Sequence, residues 1–510
     1  MARRRDRPPV LPGPPPRPHD PPGRGPRSPV GTQGRPAAGR RTRYARHLHG
    51  PRPGLLPRLP AARPQPAARH GRRRGLARHD HPGGRGPGHH RPLRRRSDPR
   101  PHHPRPEHVR RTPVTTPAPY TWPLIDERLR QAVDRQLDRS LSDRDASGVI
   151  GEFEREFARF VGSRYAIAYS SGTSALHAMC VAAGLGEGDE VIAPAYTFFA
   201  TATPFAYEGV KVVFADADGW GNLDPATLPA LLTDRTRAVI VTHMWGNPCD
   251  MTAIAEFCRA NDLLLLEDCS HAHFADWDGQ HVGTFGTMAV FSTNQKAITT
   301  GEGGLLVTDD DRLRELALLH GHYNKRSFQE IDPAAPYYRY ALTGMGLKSR
   351  MTTLAAAIGL DQLAKADDIE QRRRAVLGRF ATALDGNPVV SLTDVDQQRG
   401  SNGLYVLGLR FHRKAATVTA REFTERLARR GTEFDMPGST SVISHEPLFH
   451  RPGRTMPWTV VPDIETAAYP GAQKFIESFI KAPLFGYPGD EQAVAHHLDT
   501  LMALSEDVAR

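Results

Sequence analysis

Residues 263–309 read LLLLEDCSHAHFADWDGQHVGTFGTMAVFSTNQKAITTGEGGLLVTD. An apolar run typical of a buried strand ends in Asp268, and a second one ends near Ser292. Lys296 follows in a short polar loop, and the glycine-rich turn Gly301–Gly304 leads into a third apolar strand. The stretch therefore predicts buried strands that carry polar side chains at their ends.

Strand-like and helical runs alternate upstream of this stretch, beginning with a strand at residues 165–169. Apolar strands separated by helices predict an α/β fold with a mostly parallel sheet that is covered on both faces. Ligands of such sheets bind at the carboxyl ends of the strands. Ser171, Phe198, Asp268 and Lys296 all lie at or just beyond strand ends, so we expect them to converge on one pocket.

These residue types suit a pyridoxal phosphate site. The lysine amine can form a Schiff base, the carboxylate can hold the pyridine nitrogen protonated, and the amides of the small-residue turn around Ser171 can bind a phosphate. The alternatives are a solvated surface lysine, an ordinary helix cap at Ser171 and a core aromatic at Phe198. A metal site of Cys269, His271 and His273 beside Asp268 is a further alternative, although no fourth ligand is evident.

Five segments resemble one known family in order: SSGTSALHAM, APAYTFFATA with GVKVVFADAD, HMWGNPCDM, EDCSHAH and KAITTGEGG. The chain is similar to the DegT/DnrJ/EryC1/StrS family of pyridoxal-phosphate-dependent sugar aminotransferases over about residues 120–510. The resemblance implies an aspartate-aminotransferase-like fold (fold type I). It also implies a large cofactor-binding domain at 120–385 and a small α+β domain at 386–510.

The same resemblance assigns residues to a pyridoxal 5'-phosphate site. Lys296 forms the Schiff base, Asp268 pairs with the pyridinium nitrogen, and His271 lies near the phenolic oxygen. Phe198 stacks on the ring. The residues implied in phosphate binding are Gly172, Thr173, Ser292 and, reaching into the neighbouring subunit, Lys348.

Three positions depart from the family pattern. Lys348 stands where many members have asparagine, and Phe274 stands where glycine is usual. Only three residues separate Ser292 from Lys296, where four are usual, so Thr293 or Asn294 could replace Ser292 at the phosphate.

By resemblance, the enzyme moves an amino group from glutamate or glutamine to a keto-sugar nucleotide or a ketocyclitol, in natural-product or surface-polysaccharide biosynthesis. A homodimer with shared active sites is also implied. A dehydratase or an aromatising synthase on the same fold is the alternative, although the family's dehydratases replace the lysine with histidine. A non-catalytic regulator that binds DNA through a basic leader is a third hypothesis, which the Lys296 and Asp268 pair disfavours.

That leader is residues 1–119, rich in arginine, proline and glycine. Residues 1–120 hold 29 arginines, no lysine and five acids, whereas the whole chain has a net charge of +11, so the remainder is acidic. With few apolar side chains the leader is expected to be disordered. Translation from an over-extended start site is the interpretation we favour over nucleic-acid binding, since the leader lacks interleaved aromatic residues.

The 510 residues contain no apolar run long enough for a signal peptide or a membrane span. The four cysteines are Cys180, Cys249, Cys258 and Cys269, and none forms a zinc-type pair. So few thiols in so long a chain favour a cytoplasmic protein with reduced cysteines.

Overall fold

The computed structural model describes residues 123–143, 145–393, 399–438, 440–450 and 468–510. The expected leader at 1–119 therefore lies outside the described residues. In chain order the helices are α1 (Glu127–Leu137), α2 (Val149–Val161), α3 (Gly172–Ala182), α4 (Thr203–Tyr207), α5 (Leu228–Leu231), α6 (Met251–Ala260), α7 (Asp311–Leu319), α8 (Lys325–Glu330), α9 (Thr353–Leu363), α10 (Ala366–Ala383), α11 (Ala420–Arg429), α12 (Pro447–His450), α13 (Pro470–Ser478) and α14 (Glu491–Val508).

The strands, again in chain order, are β1 (Tyr165–Tyr169), β2 (Glu190–Pro194), β3 (Tyr196–Thr197), β4 (Lys211–Ala215), β5 (Thr236–Thr242), β6 (Leu264–Asp268), β7 (Asp276–Trp277), β8 (Gln280–His281), β9 (Met288–Ser292), β10 (Gly304–Thr308), β11 (Val390–Leu392), β12 (Gly400–Ser401), β13 (Val406–Phe411), β14 (Ser441–Val442) and β15 (Phe479–Pro483).

Seven strands form the main sheet in the order β1-β10-β9-β6-β5-β2-β4. β10 runs antiparallel to both of its neighbours, β1 and β9, while the other pairs are parallel. The predicted α/β class with a mostly parallel sheet is thus confirmed. The carboxyl ends of β1, β2, β5, β6 and β9 and the amino end of β10 share one edge of the sheet.

Successive residues of the central strands point to opposite faces, as the two-residue period of a strand requires. Ile240, Leu266 and Val290 pack in one apolar cluster together with helices α3 and α7. Val241 and Leu265 pack in another, with helix α6. Helices thus cover both faces, which explains why these strands are apolar throughout rather than alternating.

A buried ion network anchors helix α2 to this sheet. Arg326 in α8 donates to both carboxylate oxygens of Glu154 in α2, at 2.8 and 2.9 Å. Glu154 also accepts from the backbone N–H of Ala168 in β1, at 2.8 Å. Arg326 further donates to Glu330 at 2.6 Å. Every charge in the cluster has a partner, which is the condition under which such burial is tolerated.

The C-terminal part of the chain contains an antiparallel three-stranded sheet, ordered β11-β13-β15. Leu407 and Leu409 of its central strand pack in one core with Phe423 of α11 and Leu501 of α14. Phe380 of α10 belongs to the same core, so the cluster includes a helix that precedes residue 386. Within the part of the chain that is described, no helix combines the length and apolar character needed to cross a bilayer.

Candidate active site

A tight cradle of three segments lies at the polar edge of the main sheet. Helix α3 begins at Gly172, after Ser171, whose hydroxyl accepts from the Ser174 backbone N–H at 3.0 Å. A Cβ on Gly172 would stand 2.8 Å from Cβ of Ser292 in β9, and one on Gly304 would stand 2.5 Å from the Gly172 nitrogen. The close approach therefore requires both glycines. It brings the start of a helix, with its unpaired amides, against the Ser292 hydroxyl.

The short loop after Ser292 turns its next side chains away from this cradle. The Thr293 hydroxyl is fully buried and forms a hydrogen bond with that of Thr300 at 2.6 Å. The Asn294 side-chain amide donates to Glu302. Ser292 is therefore the residue that contacts Gly172, while Thr293 and Asn294 have partners within the loop.

Asp268 ends β6 at the same edge and is 4% exposed. One carboxylate oxygen accepts from the Thr201 hydroxyl at 2.7 Å, and the other accepts from the Ser270 backbone N–H at 3.1 Å. Thr201 lies in turn within 3.0 Å of the Thr197 hydroxyl and 3.1 Å of the Thr242 hydroxyl. Donors on both oxygens, backed by this hydroxyl network, fix the orientation of the carboxylate.

The half-buried Lys296 lies against an aromatic group. Its Nζ donates to the Tyr405 hydroxyl at 3.4 Å and lies 4.6 Å from the centre of the Tyr405 ring. The His271 ring stacks on Tyr405 with centroids 4.1 Å apart and planes 12° apart. Trp245 lies nearly parallel to both, at 5.5 Å from His271 and 6.2 Å from Tyr405.

His271 is neutral at physiological pH and its tautomer is defined. Desolvation, and next the nearby Lys296 ammonium, hold the pKa of His271 well below its usual value. The backbone N–H of Trp245 donates to Nδ1 of His271 at 3.4 Å. Because Nδ1 accepts, the ring proton is on Nε2, and the imidazole can donate one hydrogen bond from that atom.

The remaining predicted residues lie at the rim. Phe198 is 39% exposed and packs on Phe199 at a centroid distance of 4.2 Å. Thr173 is exposed at the second position of α3, next to the cradle. Lys348 is exposed in an extended segment whose next residue, Ser349, accepts from the Ser170 backbone N–H at 2.7 Å.

Phe274 and His273 pack into the core. The Phe274 ring meets Phe160 edge-on at 5.6 Å and is 6% exposed. His273 is 1% exposed and stacks on Phe291 at 5.6 Å. Burial, followed by the Lys296 charge, lowers the pKa of His273 to about 3. The aromatic at position 274 thus fills the space between helix α2 and the loop after β6.

The structure does not group Cys269 with His271 and His273, as the metal alternative required. Among the described residues, the group that could hold an ion is Cys269 with His243 and Glu267, all buried. Glu267 already accepts from the backbone N–H groups of Gly283, Phe285 and Gly286 and lies 3.3 Å from His243 Nε2. Its charge is therefore balanced by protein donors, and we interpret the group as a hydrogen-bonded structural cluster.

Comparison with known proteins decides the family. The model of the DegT/DnrJ/EryC1/StrS aminotransferase family matches residues 124–485. The chain belongs to this family. The expectation drawn from the five sequence segments is thereby confirmed, and the chain is an aminotransferase by descent.

Two relatives have names that refer to carbohydrate biosynthesis. The spore coat polysaccharide biosynthesis protein SpsC of Bacillus subtilis is 36% identical over 315 residues, which cover 61% of this chain and 79% of SpsC. GDP-perosamine synthase of Caulobacter vibrioides is 42% identical over 238 residues, 46% of this chain and 62% of that enzyme. An aminotransferase structure from Psychrobacter cryohalolentis superposes with a TM-score of 0.67 at 25% identity, covering 76% of this chain and 99% of that one.

Sequence reasoning missed Thr201 and Tyr405, and only Thr201 lies within one of the five family segments. Thr201 lies inside the APAYTFFATA segment, but a threonine beside an apolar strand gave no signal of its own. Tyr405 lies 109 residues beyond Lys296, immediately before strand β13. Nothing in the spacing of GLYVLGLRF indicates contact with a lysine, so only the folded chain reveals it.

Proposed function

We propose that this family member binds pyridoxal 5'-phosphate at the polar edge of the main sheet. It then transfers an amino group from glutamate or glutamine to the keto group of a nucleotide-linked sugar or of a ketocyclitol. The observation that supports the proposal most directly is that the candidate site residues lie at the same edge of the main sheet. Lys296, the oriented carboxylate of Asp268 and the cradle of Gly172 and Ser292 all follow the ends of neighbouring strands.

The residues present fit the cofactor. The start of α3 lies so close to the Ser292 hydroxyl that a Cβ at Gly172 would clash with Ser292, and a phosphate at this point can accept from both the backbone amides and the hydroxyl. Asp268 supplies the anion that a protonated pyridine nitrogen requires. Phe198, at the rim, provides a ring for stacking. When bound, the cofactor supplies an electron sink that stabilises a carbanion at the carbon next to the amino group.

The chain's own residues do the rest. Lys296 offers a primary amine that can hold the cofactor and, once released from it, can carry a proton on Nζ. Neutral His271 can donate its Nε2 proton to an anionic oxygen without bringing a positive charge into the site. Hydrogen bonds from Thr201 and from the Ser270 amide hold the negatively charged carboxylate of Asp268 in one orientation.

The acceptor class is supported by the relatives whose names refer to carbohydrate biosynthesis. GDP-perosamine synthase and a spore-coat polysaccharide protein belong to the same family as this chain. The match covers only 62% of the length of GDP-perosamine synthase. The acceptor of this chain is therefore a proposal. We also place the enzyme in the cytoplasm, since its four cysteines are all free and buried.

Reduction with borohydride tests the cofactor assignment. Peptide mapping of the reduced holoenzyme should find the phosphopyridoxyl group on Lys296 and should find none in Lys296→Ala. A label on another lysine, or no label on a cofactor-loaded protein, contradicts the assignment.

Single-turnover half-reactions test the reaction class. Glutamate or glutamine should convert the bound cofactor to its amine form, and a nucleotide-linked keto-sugar or a ketocyclitol should convert it back. If a sugar nucleotide is consumed while no amino donor alters the cofactor, dehydration or aromatisation replaces amino transfer.

We further propose a homodimer in which Lys348 reaches the partner's phosphate. Its segment carries exposed apolar side chains at Leu342 (60%), Met345 (41%) and Leu347 (42%), which a second copy would cover. Mixing Lys296→Ala and Lys348→Ala subunits should restore activity, since each hybrid dimer keeps one intact site. With subunit exchange demonstrated, inactive mixtures mean that Lys348 does not act across the interface.

A further inference from the structure

Tyr405 is held in place by an unusual backbone. The preceding residue, Leu404, has a φ of +58°, a conformation that side-chain-bearing residues rarely adopt. Arg373 donates to the Leu404 carbonyl at 2.6 Å, and the Asn402 side chain accepts from the Leu404 N–H at 2.7 Å. Such strain persists only where surrounding contacts impose it, and it occurs preferentially at functional sites.

The same segment is docked on the loop that carries Trp245. The Gly403 N–H donates to the Gly246 carbonyl at 2.8 Å, and the Asn402 side chain donates to that of Asn247 at 2.7 Å. A Cβ on Gly403 would lie 2.5 Å from the Ala272 Cα. Residues 402–405 therefore lie directly against both the Trp245 loop and the loop of His271, so the position of Tyr405 is fixed relative to each.

The contacts of the Tyr405 side chain point into the site. Its hydroxyl accepts from Lys296 Nζ at 3.4 Å, and its ring face lies 4.6 Å from the same atom. Its ring also lies parallel to the rings of His271 and Trp245. A purely structural core aromatic would meet neighbouring rings and chains, but it would not direct its hydroxyl to the amine on which the chemistry depends.

We propose that Tyr405 is a positioning residue for the amine of Lys296 and the ring of His271. The hydroxyl accepts a hydrogen bond from the amine whenever Lys296 does not carry the cofactor, and the stacked ring fixes the plane of the imidazole. The amine thus has one defined location from which it moves protons in both half-reactions. This inference rests on the proposed function, because it assigns Lys296 the role given there.

The test compares Tyr405→Phe, which removes only the hydroxyl, with Tyr405→Leu, which also removes the ring. The first readout is the rate at which the apoprotein captures pyridoxal phosphate on Lys296, measured by borohydride trapping and peptide mapping. We expect Tyr405→Phe to slow capture roughly three- to tenfold, the loss typical of one hydrogen bond, and Tyr405→Leu to slow it further. Tyr337→Phe is the matched control, because its hydroxyl bonds to Glu315 at 2.6 Å outside the site.

The second readout is the rate of each half-reaction under single-turnover conditions. If Tyr405 positions Lys296, Tyr405→Phe should slow the donor and the acceptor half-reactions by the same factor. The dissociation constants of donor and acceptor should not change. An effect on the acceptor alone would make Tyr405 a substrate-binding residue and overturn the proposal. Wild-type rates in Tyr405→Phe, or an equal loss in Tyr337→Phe, would also overturn it. If the wild type performs neither half-reaction, the proposed function fails, while the capture rate still tests Tyr405.

Discussion

Replacing Gly172 with alanine should impair cofactor binding far more than folding. The added Cβ would lie 2.8 Å from Cβ and 3.2 Å from Cα of Ser292, where ordinary contact begins near 3.4 Å. The two segments must therefore separate by about 0.6 Å, which moves the Ser292 hydroxyl and the first amides of α3 apart.

A phosphate cannot keep all of its hydrogen bonds to both segments after such a shift. Loss of one charge-assisted hydrogen bond is worth about 1.5–3 kcal/mol, so the dissociation constant of pyridoxal phosphate should rise roughly 10- to 100-fold. Stability should change little, because alanine gains about 1 kcal/mol of helix propensity over glycine while overpacking costs about 1–3 kcal/mol.

Equilibrium titration of the apoprotein with pyridoxal phosphate measures the affinity, and thermal unfolding of the same apoprotein measures the stability. Gly186→Ala is the matched control, since a Cβ there meets nothing within 4 Å. Wild-type affinity in Gly172→Ala would refute the cradle as the phosphate site. A collapse in stability with Gly172→Ala would show that the close approach serves folding instead.

Three more outcomes are expected. Thr201→Val should keep the shape of the site but slow both half-reactions about tenfold, because Asp268 loses the donor at 2.7 Å; unchanged rates would contradict this. Arg326→Met should lower the free energy of unfolding by about 3–5 kcal/mol in denaturant titrations, since Glu154 stays buried without its partner; a loss below about 1 kcal/mol would contradict this. Burial lowers the pKa of His273 to about 3 in the folded chain, whereas its pKa in the unfolded chain is about 6.5. Below about pH 6.5 the unfolded chain therefore binds a proton that the folded chain does not, and stability decreases as the pH is lowered. His273→Leu should therefore lose less stability than the wild type between pH 7 and pH 4, and an equal loss would show that other groups cause it.

Much of the sheet was predictable because its strands are buried on both faces. The apolar runs that end in Asp268 and Ser292 are strands β6 and β9, and both end at the polar edge as expected. The alternation of strands and helices along the chain predicts at which edge of the sheet a ligand binds, since parallel strands have their carboxyl ends at the same edge. The antiparallel direction of β10 was not predictable, because an apolar strand has no sequence feature that states its direction.

Local spacing was a weaker guide to individual contacts. It suggested Thr293 as a substitute for Ser292, but Thr293 is drawn inward by a hydrogen bond with Thr300. It also grouped Cys269 with His271, whereas the Cys269 thiol lies beside His243 and Glu267. In both cases the direction of a side chain is set by a partner outside the short motif, Thr300 for Thr293 and His243 for Cys269.

The pairing of β1 with β10 has a consequence for synthesis of the chain. β1 lies at the edge of the main sheet and forms its backbone hydrogen bonds there with β10, with Tyr169 paired to Gly304. Ribosomes add roughly 5–20 residues per second, so β1 leaves the ribosome roughly 7–27 s before its partner. During that interval an apolar strand has an open edge that another nascent chain can join. Chaperone capture before residue 304 has emerged, measured on stalled ribosomes, should therefore far exceed capture after residue 320.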